Sequence, residues 1–589
     1  MAQDKLQKLE LTWIGKDEKR EAIEPRILIE DPNYSYGDTE SGNILIHGDN
    51  LLALKALEQE YSGKIKCIYI DPPYNTGAAF EHYDDNIEHS IWLQLMYKRL
   101  IILRNLLSDD GFLCCQIDDS EGFYLKVLLD EIFGRNNYLT TLYIQVRYPN
   151  KTLAEDSDYQ KIIEQCHVYA KQKNLAKLNR PRVEYDISKF KWSINEISQG
   201  EEVVLGGKKV VIFKEHQYSV VEIPPCLDGL KETWATGSLA RVKASAGEFF
   251  ELHLSNRKEI DGLGCLYKVY GIGEDSLGYR YISGPKKATA SKGKFYSGIP
   301  IKRLEELKSG KSYKYLPVSN FYDFAGAFGN CRLEGAVDFK GGKKPESLLK
   351  MILDYYSNPG DLILDSFLGS GTTAAVAQKM GRRYIGIELG NQAYTHSYPR
   401  LKKVTDGNDQ SGISKLQNWK GGSGFKFYEL APSLLKEDKF GNLIINKEYN
   451  ANMLAAAMAK QEGYTYQPDA TLYWKQGQSS EHDFIYTTTQ FLTVESLDAI
   501  SETMQEDESL LICCTAFQKE CVNHAKNITV KKIPQMLLGR CEFGKDDYSL
   551  NIIDMPPLDL EEELDDDFIE EEPMATDKSN KPVQGSLFD

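Results

Sequence analysis

Several features that would settle a class quickly are scarce in this 589-residue chain. Its 11 cysteines include no Cys-x-x-Cys pair and its 9 histidines no cluster at ligand spacing, so no metal site and no disulfide framework is expected. Cys114, Cys115, Cys513 and Cys514 lie in apolar, strand-like runs and read as buried reduced thiols. Nowhere do about 18 apolar residues follow one another, and the first residues lack the apolar run of a signal peptide. A cytoplasmic protein without membrane spans is therefore expected.

Positive charge is also short, with a formal net charge of −17, but the deficit is local. Asp554 to Asp589 holds 13 acidic residues against two basic ones. Such a segment, with few apolar residues and much like charge, cannot bury enough surface to fold and is expected to be a disordered tail. Between Lys171 and Asn320 the balance reverses, with 26 Lys or Arg against 17 Asp or Glu. Arg280 to Lys314 alone carries ten basic residues against Glu305 and Glu306, which suits contacts with phosphates. The candidates there are Arg280, Lys286, Lys287, Lys292, Lys294, Lys302 and Arg303.

Residues 1–40 are polar and without period, and read as an arm. From Asn43 strands and helices alternate: a strand at Ile44–His47, a helix at Asn50–Glu60 and a buried strand at Ile65–Ile70. A helix at Ser90–Leu107 follows, then a turn at Asp109-Asp110-Gly111 and a strand at Phe112–Ile117. This is the pattern of a parallel sheet covered by helices. Regular alternation stops near Lys173 and resumes with helix Pro345–Tyr356, strand Leu362–Leu364, helix Thr372–Met380 and strand Tyr384–Ile387. The expected organisation is an α/β core in two halves, 41–172 and 316–440, interrupted by an insertion at 173–315. A small C-terminal α/β domain at 441–553 and the acidic tail at 554–589 follow.

Two loops carry the chemistry. The first, Asp71-Pro72-Pro73-Tyr74, follows the strand Ile65–Ile70, at the sheet edge where open α/β folds bind ligands. An exocyclic amine on a nucleobase is a poor nucleophile because its lone pair is delocalised into the ring. A carboxylate and a carbonyl that accept its two hydrogens favour a pyramidal nitrogen, which is electrostatic catalysis by placed acceptors. Asp71 and the Pro72 carbonyl suit that task, the prolines stiffen the loop, and Tyr74 can stack on a base drawn out of the duplex.

The second loop runs Asp365-Ser366-Phe367-Leu368-Gly369-Ser370-Gly371-Thr372-Thr373 between a strand and a helix. Glycines let the backbone approach a ligand closely. Glu388 ends the next strand 23 residues after Asp365, near the offset of an acid that binds ribose hydroxyls.

Together, and in this order, the two loops resemble the β class of DNA amino-methyltransferases, in which the Asp-Pro-Pro-Tyr motif precedes the target-recognition region and the Phe-x-Gly-x-Gly motif comes last. The resemblance implies a Rossmann-like methyltransferase core, with catalytic Asp71, Pro72, Pro73 and Tyr74. It implies S-adenosylmethionine as cofactor, held by Asp365, Phe367, Gly369, Gly371, Thr372 and Glu388. Lys344-Pro345 resembles the motif at the cofactor's methionine end, and Asp49, in His47-Gly48-Asp49-Asn50, the acidic turn before the catalytic strand. Trp92 to Asn137, including Gly111-Phe112-Leu113-Cys114-Cys115-Gln116-Ile117-Asp118-Asp119, points within the class to modification subunits of Type III restriction-modification systems. That implies double-stranded DNA as substrate, a homodimer, and a helicase-nuclease restriction subunit as partner.

Asp rather than Ser before Pro-Pro-Tyr favours, by resemblance, adenine N6 over cytosine N4. An idle DNA-recognition subunit is the reading from another class, and the intact Asp71 and glycine loop count against it. The last six residues, Gln584 to Asp589, resemble peptides that dock on the bacterial sliding clamp, with Leu587 and Phe588 as apolar anchors and Gln584 at the pocket rim.

Overall fold

The computed structural model describes residues 10–16, 22–74, 85–149, 159–234, 246–291, 293–310, 312–339 and 342–544. Lys292, the acidic tail and Gln584, Leu587 and Phe588 lie outside them. Among the described residues no helix is long and apolar enough to cross a membrane.

The core is built on ten strands: β1 (Leu28–Glu30), β2 (Ile44–His47), β3 (Ile65–Ile70), β4 (Leu107–Ile117), β5 (Tyr138–Gln145), β6 (Ile163–Ala170), β7 (Phe321–Asp323), β8 (Leu362–Asp365), β9 (Arg383–Glu388) and β10 (Gly424–Leu430). They form one sheet in the order β1-β10-β2-β9-β8-β3-β4-β6-β5-β7, with the short strand Tyr36–Gly37 added to β10. The pairs from β10 through β2, β9, β8 and β3 to β4 are all parallel. β6 runs antiparallel to its neighbours β4 and β5, and both β1 and the strand Tyr36–Gly37 run antiparallel to β10.

Both faces of the parallel region are covered, which is why its strands read as continuous apolar runs. Ile44, Ile46, Ile68, Ile70, Leu364 and Ile387 turn to one face, against α1 (Asn50–Tyr61) and α2 (Asp85–Leu106). Leu45, Cys67, Tyr69, Ile363 and Tyr384, their neighbours in the chain, turn to the other. There they meet α3 (Glu346–Tyr356), whose Leu348, Leu349, Ile352, Leu353 and Tyr356 recur at helical spacing, and α4 (Thr372–Lys379).

Two local expectations are corrected. The expected turn at Asp109-Asp110-Gly111 lies inside β4 as an irregularity, since Ile65 pairs with Leu107 and Cys67 with Phe112. Gly111 is needed there because a Cβ would lie 2.9 Å from the Ile65 carbonyl oxygen. Described parts of the polar first 40 residues also join the fold: Trp13 is buried, and Leu28–Glu30 pairs with Leu430 to Tyr428. A three-residue strand is too short to announce itself by periodicity.

The insertion forms an eight-stranded antiparallel sheet, with one face covered by Ala246, Phe249, Phe250 and Leu254. The chain re-enters the core by pairing Phe321–Asp323 in parallel with Tyr143–Gln145. C-terminally, a five-stranded sheet packs helices Ala451–Gln461 and Val494–Ser501, with its last three strands parallel. It is tied to α1 by Lys460 Nζ on the Ala56 carbonyl at 2.5 Å and Gln59 Nε2 on the Tyr464 carbonyl at 3.1 Å.

Beneath α3 lies a fully buried charge network. Glu346 accepts from Lys379 Nζ at 2.8 Å with both oxygens and from Arg400 Nη2 at 2.8 Å, while Lys379 also meets Asp409 at 2.7 Å. Two cations balance two carboxylates, and the Ile413 amide completes Glu346 at 3.0 Å. Removing one member leaves buried charge without its counterpart. Glu346→Ala is expected to cost about 3–5 kcal/mol in urea unfolding, and a loss below about 1 kcal/mol would contradict this account.

Candidate active site

Two of the parallel strands bring the loops together. Ile363 pairs with Cys67 and Leu364 with Ile68, so Asp365 and Asp71 emerge side by side at the carboxyl ends of β8 and β3.

Asp71 stands in a cluster of polar side chains. Its Oδ1 accepts the Tyr74 hydroxyl at 2.7 Å and its Oδ2 lies 2.9 Å from the Lys344 ammonium. Glu164, from β6, lies 2.9 Å from the same Tyr74 hydroxyl and 3.4 Å from Lys344 Nζ. Lys344 also donates to Tyr74 Oη at 2.9 Å. Behind them Gln116 Nε2 donates to Glu164 at 2.5 Å, and the Tyr69 hydroxyl fixes Gln116 at 2.7 Å. Trp92 Nε1 donates to the Pro73 carbonyl at 2.8 Å and pins the loop to α2.

Two carboxylates share one ammonium here. Burial raises the Asp71 pKa; Glu164 adds to the rise, while Lys344 and the Tyr74 hydroxyl oppose it. Burial pulls the Lys344 ammonium down, but Asp71 and Glu164 more than offset it and its pKa is raised. The Tyr74 phenol is pushed well up by burial and then by the two carboxylates, so it stays protonated.

The second loop is organised by its acids. Asp365, 4% exposed, accepts the Phe367 amide at 3.0 Å and the Thr373 hydroxyl at 2.6 Å. Glu388, at the end of β9, accepts the Gly369 amide at 2.7 Å and the Gly390 amide at 3.0 Å. Gly369 and Gly371 have φ of 55° and 78°, which favours glycine, and a Cβ on Gly371 would lie 3.2 Å from Ser397 Cα. Phe367 packs against the core edge, and Pro345 is the N-cap of α3.

Asp49 and Thr372 are already engaged within the protein. Asp49 caps α1 through the Leu51 and Leu52 amides and pairs with Arg99 at 3.1 Å. Thr372 Oγ1 accepts from Arg400 at 2.7 Å. Sequence reasoning missed Glu164. Its signal is the row Glu164, Cys166, Val168, Ala170, one face of a strand that is apolar except for its first member.

The basic candidates divide. Arg280 pairs with the buried Asp275. Lys294 lies 2.7 Å from Glu232 and 4.8 Å from the Trp234 ring centroid, and Arg303 is held by Glu306 and the Tyr313 carbonyl. Lys286, Lys287 and Lys302 are exposed.

The model of a family described as DNA methylase, of the N6 and N4 group, matches residues 65–220 and 282–399. The chain is 34% identical over 414 residues to a probable Type III restriction-modification enzyme HindVI Mod subunit of Haemophilus influenzae, covering 67% of this chain and 54% of that one. It is 26% identical over 472 residues to the EcoPI Mod subunit of Escherichia phage P1, covering 67% and 66%. It is also 26% identical over 496 residues to the EcoP15I Mod subunit of Escherichia coli, covering 73% and 72%. The chain thus spans a little over half of the first relative's length and about two thirds of the second's.

Burial pushes the Asp365 pKa up from 3.8 to about 7. Between those values the folded state holds a proton that the unfolded chain has lost, so this group's contribution to stability falls as pH rises through that window. Relative to Asp365→Asn, the wild type is expected to lose up to about 4 kcal/mol from pH 4 to 7.5. Thermal unfolding of both proteins checks this, and parallel pH curves would refute it.

The two matched blocks hold the parallel strands β3, β4, β8 and β9 and carry the Asp71 and Asp365 loops, and the gap between them falls inside the antiparallel insertion; the chain is thus similar to DNA methylases of the N6 and N4 group and to Mod subunits of Type III restriction-modification enzymes.

Proposed function

We propose that the chain is a site-specific DNA methyltransferase that modifies adenine at N6, acting as the modification subunit of a Type III-like system. The observation that carries this reading is the parallel pairing of β3 with β8, which sets Asp71 beside the glycine loop. In this reading a dimer of the chain works with a helicase-nuclease partner on double-stranded DNA.

The residues present fit S-adenosylmethionine. Among the described residues, a Cβ added at Gly369 would meet Phe339 Cζ alone, at 3.8 Å, which leaves room for a ligand against the backbone. Glu388 uses one lone pair on each oxygen for an amide and keeps others for ribose hydroxyls. Asp365, Phe367, Gly369, Gly371, Lys344, Pro345 and Glu388 would hold the cofactor, with Asp49 and Thr372 bracing the loops around it. When bound, it supplies an electrophilic methyl group on a sulfonium.

The protein's task is to prepare the amine. Asp71 and the Pro72 carbonyl accept its two hydrogens, which directs the nitrogen lone pair toward the methyl group. Tyr74 stacks on the flipped base, whose extraction from the duplex costs a few kcal/mol.

Base-modification sequencing of host DNA with and without the gene is expected to show methyl groups on adenine N6 at one short sequence. Methylated cytosine N4 would move the assignment to the other base, and an unchanged methylome would overturn it. Asp71→Ala is expected to lower methyl transfer at least about a hundredfold while cofactor affinity by calorimetry stays within about threefold. Substantial residual transfer would remove Asp71 from its role.

Phosphate contacts are assigned to Lys286, Lys287 and Lys302. Replacing all three with Ala is expected to flatten the salt dependence of DNA binding, by about 0.9 in log–log slope for each phosphate no longer neutralised. An unchanged slope would return these residues to the solvated surface.

A further inference from the structure

Methyl transfer by the reading above needs an Asp71 carboxylate that can attract an amine hydrogen, yet both of its oxygens are engaged. Tyr74 occupies Oδ1 at 2.7 Å and the Lys344 ammonium Oδ2 at 2.9 Å. A carboxylate has lone pairs to spare, so the obstacle is charge. An ammonium in contact with Asp71 cancels the field that draws the amine hydrogens. It also repels the positive charge that develops on the nitrogen as the N–C bond forms, and at these separations in a dry site such repulsion is large.

Lys344 and Tyr74 therefore need somewhere to go, and one group already lies within reach of both. Glu164 Oε2 is 3.4 Å from Lys344 Nζ and 2.9 Å from Tyr74 Oη. Unlike Asp71 it stands on a sheet strand, and Gln116, itself fixed by Tyr69, holds it from behind. Tyr74 has a single hydroxyl hydrogen between two carboxylates, so its tether can pass from one to the other without any other group moving.

We propose that Glu164 is a positioning residue for this reaction: it is the alternative anchor for the Lys344 ammonium, taking it off Asp71 so that the Asp71 carboxylate is open to the target amine. The inference rests on the methyltransferase reading. As the nitrogen lone pair forms the N–C bond, the electrons of the broken C–S bond remain on sulfur. The surplus proton on nitrogen then passes to Asp71, whose pKa burial and Glu164 raise. Among the described residues, the charged and titratable groups facing Asp71 are Lys344, Glu164, Tyr74, Tyr69, Cys115 and Asp365.

The test is a cofactor-free binding comparison. Duplexes carry either adenine or purine, which lacks the 6-amine, at the target position of the methylated sequence. Wild-type protein is expected to prefer adenine roughly tenfold, the worth of one hydrogen bond to a charged group. In Glu164→Gln, which keeps the shape and loses the charge, Lys344 stays on Asp71, and the preference is expected to fall below about twofold. Glu164→Asp retains the charge and is expected to keep most of the preference. In single-turnover transfer, Glu164→Gln is expected to be slowed at least tenfold, with the acid limb of its pH–rate profile moved to lower pH because Asp71 has lost a neighbouring negative charge. A merely structural role would lower the rate without moving that limb. Wild-type and Glu164→Gln preferences that agree, or an unmoved acid limb, overturn the proposal. Absence of transfer by the wild type overturns the functional reading and this inference with it, whereas transfer with an unchanged preference in Glu164→Gln overturns this inference alone.

Discussion

The structure depends above all on one strand pairing, that of β3 with β8. These segments are far apart in sequence, with the whole antiparallel insertion between them, and each alone would end in an ordinary loop. Paired in parallel, they present their carboxyl ends at one edge of the sheet, where Asp71 and Asp365 stand together. Parallel pairing cannot be made by a tight turn and needs a covered crossover. The insertion can therefore sit in the crossover without disturbing the register, provided the chain returns to the sheet, as it does at Phe321–Asp323.

Two buried charge clusters flank that edge and differ in kind. Around Glu346, two cations balance two carboxylates with every contact made inside the protein, and the result is a fixed joint between α3, α4 and the Asp409 loop. Around Asp71, one ammonium serves two carboxylates. A cluster short of a counter-ion carries shifted pKa values, as functional sites do. Lys344 and Glu346 are two residues apart on either side of Pro345, so the fixed joint holds the Lys344 backbone in place.

The insertion shows how charge counted along a chain differs from charge available at a surface. Of ten basic residues between Arg280 and Lys314, Arg280, Lys294 and Arg303 are spent on carboxylates of the same domain. Lys268 lies over the rings of Tyr270, Tyr279 and Tyr281. Composition located the basic stretch, and only side-chain pairing separates braces from candidates for an anionic partner.

Much of the core was legible because its signals are local. The apolar runs of Ile44–His47, Ile65–Ile70 and Leu362–Leu364, the helical spacing after Pro345, and the two loops each lie within a dozen residues. The sequence by itself determined the α/β class, the interruption of the core, and the identity of Asp71, Tyr74, Asp365 and Glu388 as the residues to watch. What it could not determine is who faces whom. Glu164 reaches the site only because β6 runs antiparallel beside β4, and Leu28–Glu30 is a strand only because β10 offers it an edge. The position of Lys344 between Asp71 and Glu164 is likewise a matter of packing, because hydrogen bonds and ion pairs act over a few ångströms of space and are indifferent to separation along the chain.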